Sequence, residues 1–118
     1  MDLPWEPAAR SPELSVTPAG EQAAARLTVS GDLDLVGAPD FLEQFEKSLP
    51  ALPGPIEMDL GAVDFIDCAG ARAVLRTHEL AVRSGHRITV VGVSPAVALI
   101  FDLLGYRQPL DPARGEDR

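Results

Sequence analysis

The chain has 118 residues, 46% of them hydrophobic, and a formal charge of −8 at pH 7. This length gives room for one domain with one core. The acidic balance argues against nucleic acid, because phosphate binding needs clustered lysine and arginine and the ten here are dispersed. The single cysteine cannot form an internal disulfide. No apolar run approaches the ~20 residues that cross a bilayer, and no secretory signal is visible. We therefore expect a cytoplasmic protein that does not insert into a membrane.

The first 30 residues predict a tail followed by a hairpin. Residues 1–12 contain three prolines and no periodicity, so they are interpreted as a flexible tail. Trp5 within it either rests loosely on the surface or anchors a partner. Alternating apolar residues over 13–18 and 24–30, joined by a glycine-containing turn, predict two antiparallel strands. Gly31 is expected to end the second strand.

An amphipathic helix is expected next. Residues 32–36 are interpreted as a connection with two carboxylates, and the helix begins near Gly37 with Pro39 in its first turn. Apolar residues at helical spacing give this helix one buried face. Pro50 and the prolines that follow it are expected to end the helix.

The segment from residue 56 to 84 contains the candidate functional point. An apolar strand over 56–60 leads through an acidic turn over 64–67 into a helix over 69–84. Cys68 would then lie at or just before a helix N-terminus, where unpaired N–H groups meet solvent. A group at that point can be recognised by a partner or modified by an enzyme, so Cys68 is the candidate functional point.

The outward side of this helix has two possible interpretations, and its histidine has one. The outward side carries four charged residues, Arg72, Arg76, Glu79 and Arg83. They form either a solvated face or a basic edge that meets an acidic partner. His78 falls on the apolar side and is expected to be partly buried and hydrogen-bonded. No cysteine or carboxylate lies at ligand spacing from the histidines, so no metal site is expected.

The C-terminal third predicts a strand, a helix and a tail. Residues 86–92 are rich in β-branched side chains and read as a strand. Ser94 is expected to cap a helix that ends at Gly105. That helix is apolar almost all round, which indicates either burial or an exposed patch for a partner or a weak homodimer. Residues 106–110 could add a short strand, and 111–118 read as a second flexible tail.

Catalysis is not expected from these residues. No glycine-rich nucleotide loop follows a strand, and no cofactor is indicated. His78 lies ten residues along the same helix from Cys68, about 15 Å away at 1.5 Å per residue, so the two cannot form a catalytic pair. The chain has enough carboxylates for acid–base chemistry but few aromatic residues to line a pocket.

Three segments carry a resemblance to a known family: GDLDLVGAPDF (31–41), MDLGAVDFIDCAGARAVL (58–75) and SPAVALIFDLLGY (94–106). In this order and spacing they resemble the STAS domain of anti-sigma factor antagonists, over about residues 13–110. The resemblance implies an α/β fold, a mixed four- to five-stranded sheet with helices packed mainly on one face. It also implies a bacterial regulator that binds an anti-sigma factor, usually a histidine-kinase-like ATPase, and so frees a sigma factor for transcription.

The resemblance also assigns roles to individual residues. In the family the turn reads Asp-Ser-Ser/Thr-Gly, and the kinase phosphorylates the first hydroxyl residue. That position is Cys68 here, while Asp67, Ala69 and Gly70 match the other three. Asp34 matches the aspartate of the family's Gly-Glu-Leu-Asp loop. Because neither Cys68 nor Ala69 has a hydroxyl, the usual phosphorylation switch cannot operate.

Three hypotheses follow. In the first, the protein docks on an anti-sigma factor through Asp34, the turn 67–70 and the start of the second helix with Arg72 and Arg76, without phosphorylation control. In the second, Cys68 is a redox switch, against the simpler view that it is a small residue that fits the turn. In the third, the protein is a STAS subunit of a lipid-transport ATPase or a signalling scaffold.

Overall fold

The computed structural model describes residues 11–18, 25–52 and 54–106. Four strands form one sheet in the order β1-β2-β3-β4, and three helices lie between or after the strands. The strands are β1 (Glu13–Thr17), β2 (Ala25–Leu33), β3 (Ile56–Ile66) and β4 (Ile88–Val93). The helices are α1 (Ala38–Ser48), α2 (Cys68–Arg83) and α3 (Pro95–Leu104), with a short 3₁₀ turn at Leu49–Ala51 after α1.

The sheet is mixed, and its two faces differ. β1 pairs antiparallel with β2, whereas β2, β3 and β4 are parallel neighbours. Leu27, Met58 and Val90 lie side by side across the three parallel strands and are all buried. On the opposite face, Arg26 and Glu57 are also neighbours and form an ion pair of 2.8 Å. The helices therefore cover one face, and the predicted fold is confirmed.

The core is built where the three helices meet that face. Phe41 and Phe45 of α1, Val74 of α2, and Val97 and Phe101 of α3 are fully buried in one cluster with the strand residues. Phe41 and Phe45 are four residues apart, so they lie on one side of α1. Burying each such side chain contributes roughly 1.5–3 kcal/mol, which fixes the helices on the sheet.

Two strands run further than predicted. Gly31 does not end β2: its positive φ of 95° accompanies a register shift, after which Asp32 and Leu33 pair with Phe65 and Ile66 of β3. The predicted acidic turn over 64–67 is likewise wrong, because β3 continues to Ile66. The reason in both cases is the neighbouring strand. β2 and β3 resume their pairing after the irregularity, and the local sequence does not reveal hydrogen bonds to a distant strand.

The helix boundaries agree with the prediction to about one residue. α1 begins after Gly37, as expected, and α2 begins at Cys68 rather than 69. The Ser94 hydroxyl accepts a hydrogen bond of 3.2 Å from the Val97 N–H at the start of α3. Gly105, with φ of 74°, ends α3 in the left-handed conformation that glycine favours.

α3 is buried on one side and exposed on the other. Val97 and Phe101 are buried, whereas Leu99 and Leu103 are 60% and 70% exposed.

β4 starts at Ile88, two residues later than predicted. Trp5, the hairpin turn at 19–24 and most of the predicted strand and tail at 106–118 lie outside the described residues.

The boundary of the predicted N-terminal tail falls at an ordered contact. Pro12 is buried, and its carbonyl oxygen accepts a 3.0 Å hydrogen bond from the Gln44 side chain of α1. The same side chain accepts a hydrogen bond of 3.1 Å from the Leu14 N–H of β1. Gln44 therefore ties the start of the domain to α1.

Candidate functional site

The sheet brings the two predicted loop segments to the same edge. Leu33 and Ile66 are partners in register at the ends of β2 and β3. The Asp67 N–H donates to the Leu33 carbonyl oxygen at 3.2 Å, one residue beyond the paired strands. Because parallel strands end at the same edge, the loop that carries Asp34 and the turn that carries Asp67 lie side by side.

The Asp67 carboxylate joins the two segments. One oxygen, Oδ1, accepts a hydrogen bond of 3.0 Å from the Gly70 N–H and caps α2. The other, Oδ2, accepts a hydrogen bond of 2.9 Å from the Leu35 N–H, 32 residues earlier in the chain. Asp67 has the extended backbone of an N-cap residue, with φ −117° and ψ −170°. Its first role is therefore to hold the β2–α1 loop against the start of α2.

Asp34 shapes the same loop from within. Its Oδ1 accepts a hydrogen bond of 2.8 Å from the Gly37 N–H, and its carbonyl oxygen accepts one of 2.8 Å from the Ala38 N–H. Gly37 caps α1 without a side chain of its own. A Cβ on Gly37 would lie 2.9 Å from the Asp32 carbonyl oxygen, so a glycine suits this tight turn.

Gly70 is required by the closeness of α2 to the end of β2. A Cβ at this position would overlap the Leu33 carbonyl oxygen and lie 2.9 Å from the Ile66 side chain. The first turn of α2 therefore packs directly on backbone, which no larger residue allows. Cys68, the first residue of α2, is exposed, and Ala69 beside it is partly exposed.

Sequence reasoning missed three exposed apolar residues around this turn. Leu35, Val36 and Phe65 are each more than half exposed. Phe65 pairs with Asp32 at the end of the sheet, and Leu35 is held by Asp67, so they belong to the same edge. Two consecutive apolar residues in a predicted connection were a usable signal, because exposed apolar clusters mark interaction sites. We call these three residues the apolar rim.

Arg72 and Arg76 lie beside a groove between α1 and α2. The groove has a volume of about 640 Å³ and is lined by Leu35, Ala38, Pro39, Leu42, Ala69, Arg72, Ala73, Leu75, Arg76 and Glu79. Arg76 forms an ion pair of 3.0 Å with Glu79. Arg72 is exposed and forms no ion pair or hydrogen bond within the described part of the chain.

The other side of the β2–α1 loop is acidic. A hollow of about 300 Å³ is lined in part by Asp32, Asp34 and Asp40. Asp40 accepts a hydrogen bond of 3.0 Å from Gln44. The loop therefore separates an acidic hollow from a groove with a basic edge.

Two further observations limit the chemistry of the described residues. Among them, no group of three or more histidine, cysteine, aspartate or glutamate residues is placed to hold a metal ion. None of the helices in the described ranges has the length and apolar character to span a bilayer.

His78 lies on the packed side of α2, as predicted. Its Nδ1 is 3.1 Å from the Val74 carbonyl oxygen. Burial lowers the pKa of His78 from the ordinary histidine value, and the hydrogen bond to Val74 opposes that shift in part. The residue therefore belongs to the packing of α2 rather than to the edge that carries Cys68.

Comparison with solved structures gives the same fold. An anti-sigma factor antagonist from Mycobacterium paratuberculosis is 24% identical, with a TM-score of 0.68 over 85% of this chain and 83% of the other. The anti-sigma factor antagonist SpoIIAA in its unphosphorylated form is 15% identical, with a TM-score of 0.63 over 84% and 86%. The murine anion transporter Slc26a9 is 13% identical, with a TM-score of 0.63 over 89% of this chain and 20% of the transporter.

The sequence comparisons decide the family. None of the curated proteins matches the chain. A family model described as "Mlab, STAS domain" matches residues 16–111, which is most of the chain and includes the β2–α1 loop and the turn at Cys68. The chain therefore belongs to the STAS-domain family.

Proposed function

We propose that this protein is an anti-sigma factor antagonist, a cytoplasmic binding protein rather than an enzyme, which docks on a kinase-like anti-sigma factor and is not controlled by phosphorylation. One observation carries the proposal. The turn keeps its supporting hydrogen bonds at Asp67 and its glycine at Gly70, while the exposed positions between them, Cys68 and Ala69, lack a hydroxyl.

The apolar rim supports docking at this edge. Leu35, Val36 and Phe65 are large apolar groups that the protein leaves in water next to the turn. The buried centre of an interface is depleted of charged residues and more apolar than the rest of the surface, with a polar periphery around it. The acidic hollow and the basic edge of the groove would supply that periphery. Asp34 and Asp67 act through the shape of the loop, because each carboxylate is already bound to backbone N–H groups.

The chemistry of the turn supports the loss of phosphorylation control. A phosphoryl group on a hydroxyl would add about −1.5 to −2 charges beside the carboxylates of this edge and repel a partner. Cys68 and Ala69 offer no such hydroxyl, so the complex would not be dissolved in this way. Binding would then be set by the concentrations of the two proteins or by another signal.

The test is titration of the full chain with purified kinase-like anti-sigma factors from the same genome. Val36→Ser should weaken binding about tenfold, because it removes apolar surface that the partner would bury. Val82→Ser is the matched control, since Val82 is 67% exposed on α2, far along the helix from the turn, and Val36 is 86% exposed. Equal effects of the two changes, or no binding to any such factor, would contradict the proposal.

Phosphorylation is tested in the same system. Incubation with the bound factor and ATP should leave the native chain unmodified, whereas Cys68→Ser combined with Ala69→Ser restores a hydroxyl acceptor. Phosphate on the native turn would overturn this part of the proposal. The redox hypothesis for Cys68 stays a prediction, and an affinity that peroxide does not change would remove it.

A second candidate function is a STAS subunit of a membrane transport ATPase, such as a lipid transporter. It is favoured by the structural likeness to a domain-sized part of an anion transporter and by the exposed leucines Leu99 and Leu103 on α3. Replacing both leucines by serine should weaken binding to a transport ATPase and leave anti-sigma factor binding unchanged. The native complex recovered with each variant separates the two functions.

A further inference from the structure

We infer that the groove between α1 and α2 receives an amphipathic helix of the partner, with an acidic side chain opposite Arg72. The inference deepens the proposed function and depends on it for the identity of that partner. It concerns a surface next to the turn at Cys68, and it assigns that surface a ligand of defined chemistry.

The shape of the groove suits a helix. Its lining includes Ala38, Ala69 and Ala73, whose small side chains let another helix approach to the usual interaxial distance of about 8–10 Å. The lining residues of α2 run from Ala69 to Glu79, ten residues along the helix, or about 15 Å at 1.5 Å per residue. Three turns of a partner helix would cover this length.

The part of the groove that a partner helix would cover is apolar. Leu42 and Leu75 are half-buried between the helices, and Leu35 and Pro39 lie exposed at the groove's edge. A helix that presents apolar residues at positions i, i+3 or i+4, and i+7 would cover these side chains. Leu35 also belongs to the apolar rim, so one partner could fill the groove with a helix and cover the turn at the same time.

The charges favour an acidic residue on that helix. Arg76 is already paired with Glu79, whereas Arg72 lies exposed beside the groove with no partner among the described residues. An acidic side chain on the partner would form an ion pair with Arg72. This local match is notable because the whole chain carries −8, which would otherwise repel acidic segments.

The net charge argues against a second copy of this chain as the occupant. Each copy carries −8, so two copies would repel each other. Local charges do not exclude a dimer, because an antiparallel pair of α2 helices could place Arg72 opposite Glu79 of the other copy. The dimer is therefore tested separately below.

The experiment is selection of helical 15-residue peptides from a display library on the full-length protein. Selected sequences should share the apolar spacing above and an acidic position, and Arg72→Glu should weaken their binding about tenfold. Arg72→Lys should retain most of the binding, because the charge is kept. Arg83→Glu makes the same charge change on the same helix at its far end and is the control.

Several results would overturn the inference. They are the absence of enriched helices, binders without an acidic position, and binding that Arg72→Glu leaves unchanged. A dimer in sedimentation that Ala69→Leu dissociates would show that a second copy fills the groove. The proposed function fails separately: acidic helices selected in the groove without any anti-sigma factor binding would refute only the proposed function. If an anti-sigma factor bound the Arg72→Glu variant with the same affinity as the native chain, only the inference about the groove would be refuted.

Discussion

Replacing Asp67 by alanine removes two hydrogen bonds of different kinds from one carboxylate. The bond to the Gly70 N–H is an N-cap, worth about 1 kcal/mol of unfolding free energy in proteins. The bond to the Leu35 N–H closes a contact between distant segments, and at this exposed location we expect it to contribute about 1 kcal/mol. Asp67→Ala should therefore lower the free energy of unfolding by about 2 kcal/mol.

Two other variants separate these contributions. Asp67→Ser keeps a good N-cap oxygen but is too short to reach Leu35 as well, so it should lose only about 1 kcal/mol. Ser94→Ala is the matched control at the start of α3, because the Ser94 hydroxyl caps that helix through Val97 alone. It should also lose about 1 kcal/mol.

The assay is urea unfolding followed by far-ultraviolet circular dichroism, with amide hydrogen exchange measured at Leu35. The Leu35 amide should lose protection in both Asp67 variants and keep it in Ser94→Ala. If Asp67→Ala lost no more stability than Ser94→Ala and the Leu35 amide exchanged at its native rate, the link between the loop and α2 would be refuted. The apolar rim would then need another explanation for its position.

Three more predictions follow from particular residues. Gly70→Ala should destabilise by about 2 kcal/mol or more in urea unfolding, because its Cβ meets backbone, whereas Gly61→Ala, which meets only the Asp59 side chain, should change stability by less than about 1 kcal/mol. Similar losses at both would contradict the close approach. Because burial lowers the pKa of His78, the unfolded chain binds a proton more readily as the pH falls below about 6.5, so stability should drop from pH 7.5 to pH 5. His78→Gln should reduce that drop, and an unchanged pH dependence would count against it. Gly105→Ala should lower the melting temperature at a cost of about 1 kcal/mol, since φ is 74° there, and no shift would show that α3 ends differently.

The elements that the sequence predicted best are those whose signals are local. The caps of α3 at Ser94 and Gly105 and the buried stripe of α1 follow from side chains within a few residues of each other. The change from strand to helical periodicity is likewise local, so the start of α2 at Cys68 was predicted to within one residue.

The errors occurred where the deciding contact is distant in the sequence. β2 passes through Gly31, and β3 extends to Ile66, because each is hydrogen-bonded to the other. The sequence also did not reveal that the Asp67 carboxylate accepts a hydrogen bond from the Leu35 N–H, 32 residues earlier in the chain. No local pattern contains that information.

The sequence by itself determined which residues form helices, which sides of α1 and α2 are buried and which turn lacks a hydroxyl, because these depend on short-range periodicity and on residue chemistry. Only the tertiary structure decided that Leu35, Val36 and Phe65 are exposed together and that α1 and α2 leave a groove beside Arg72. Exposure and grooves depend on how separate elements pack, and packing is a property of the folded chain as a whole.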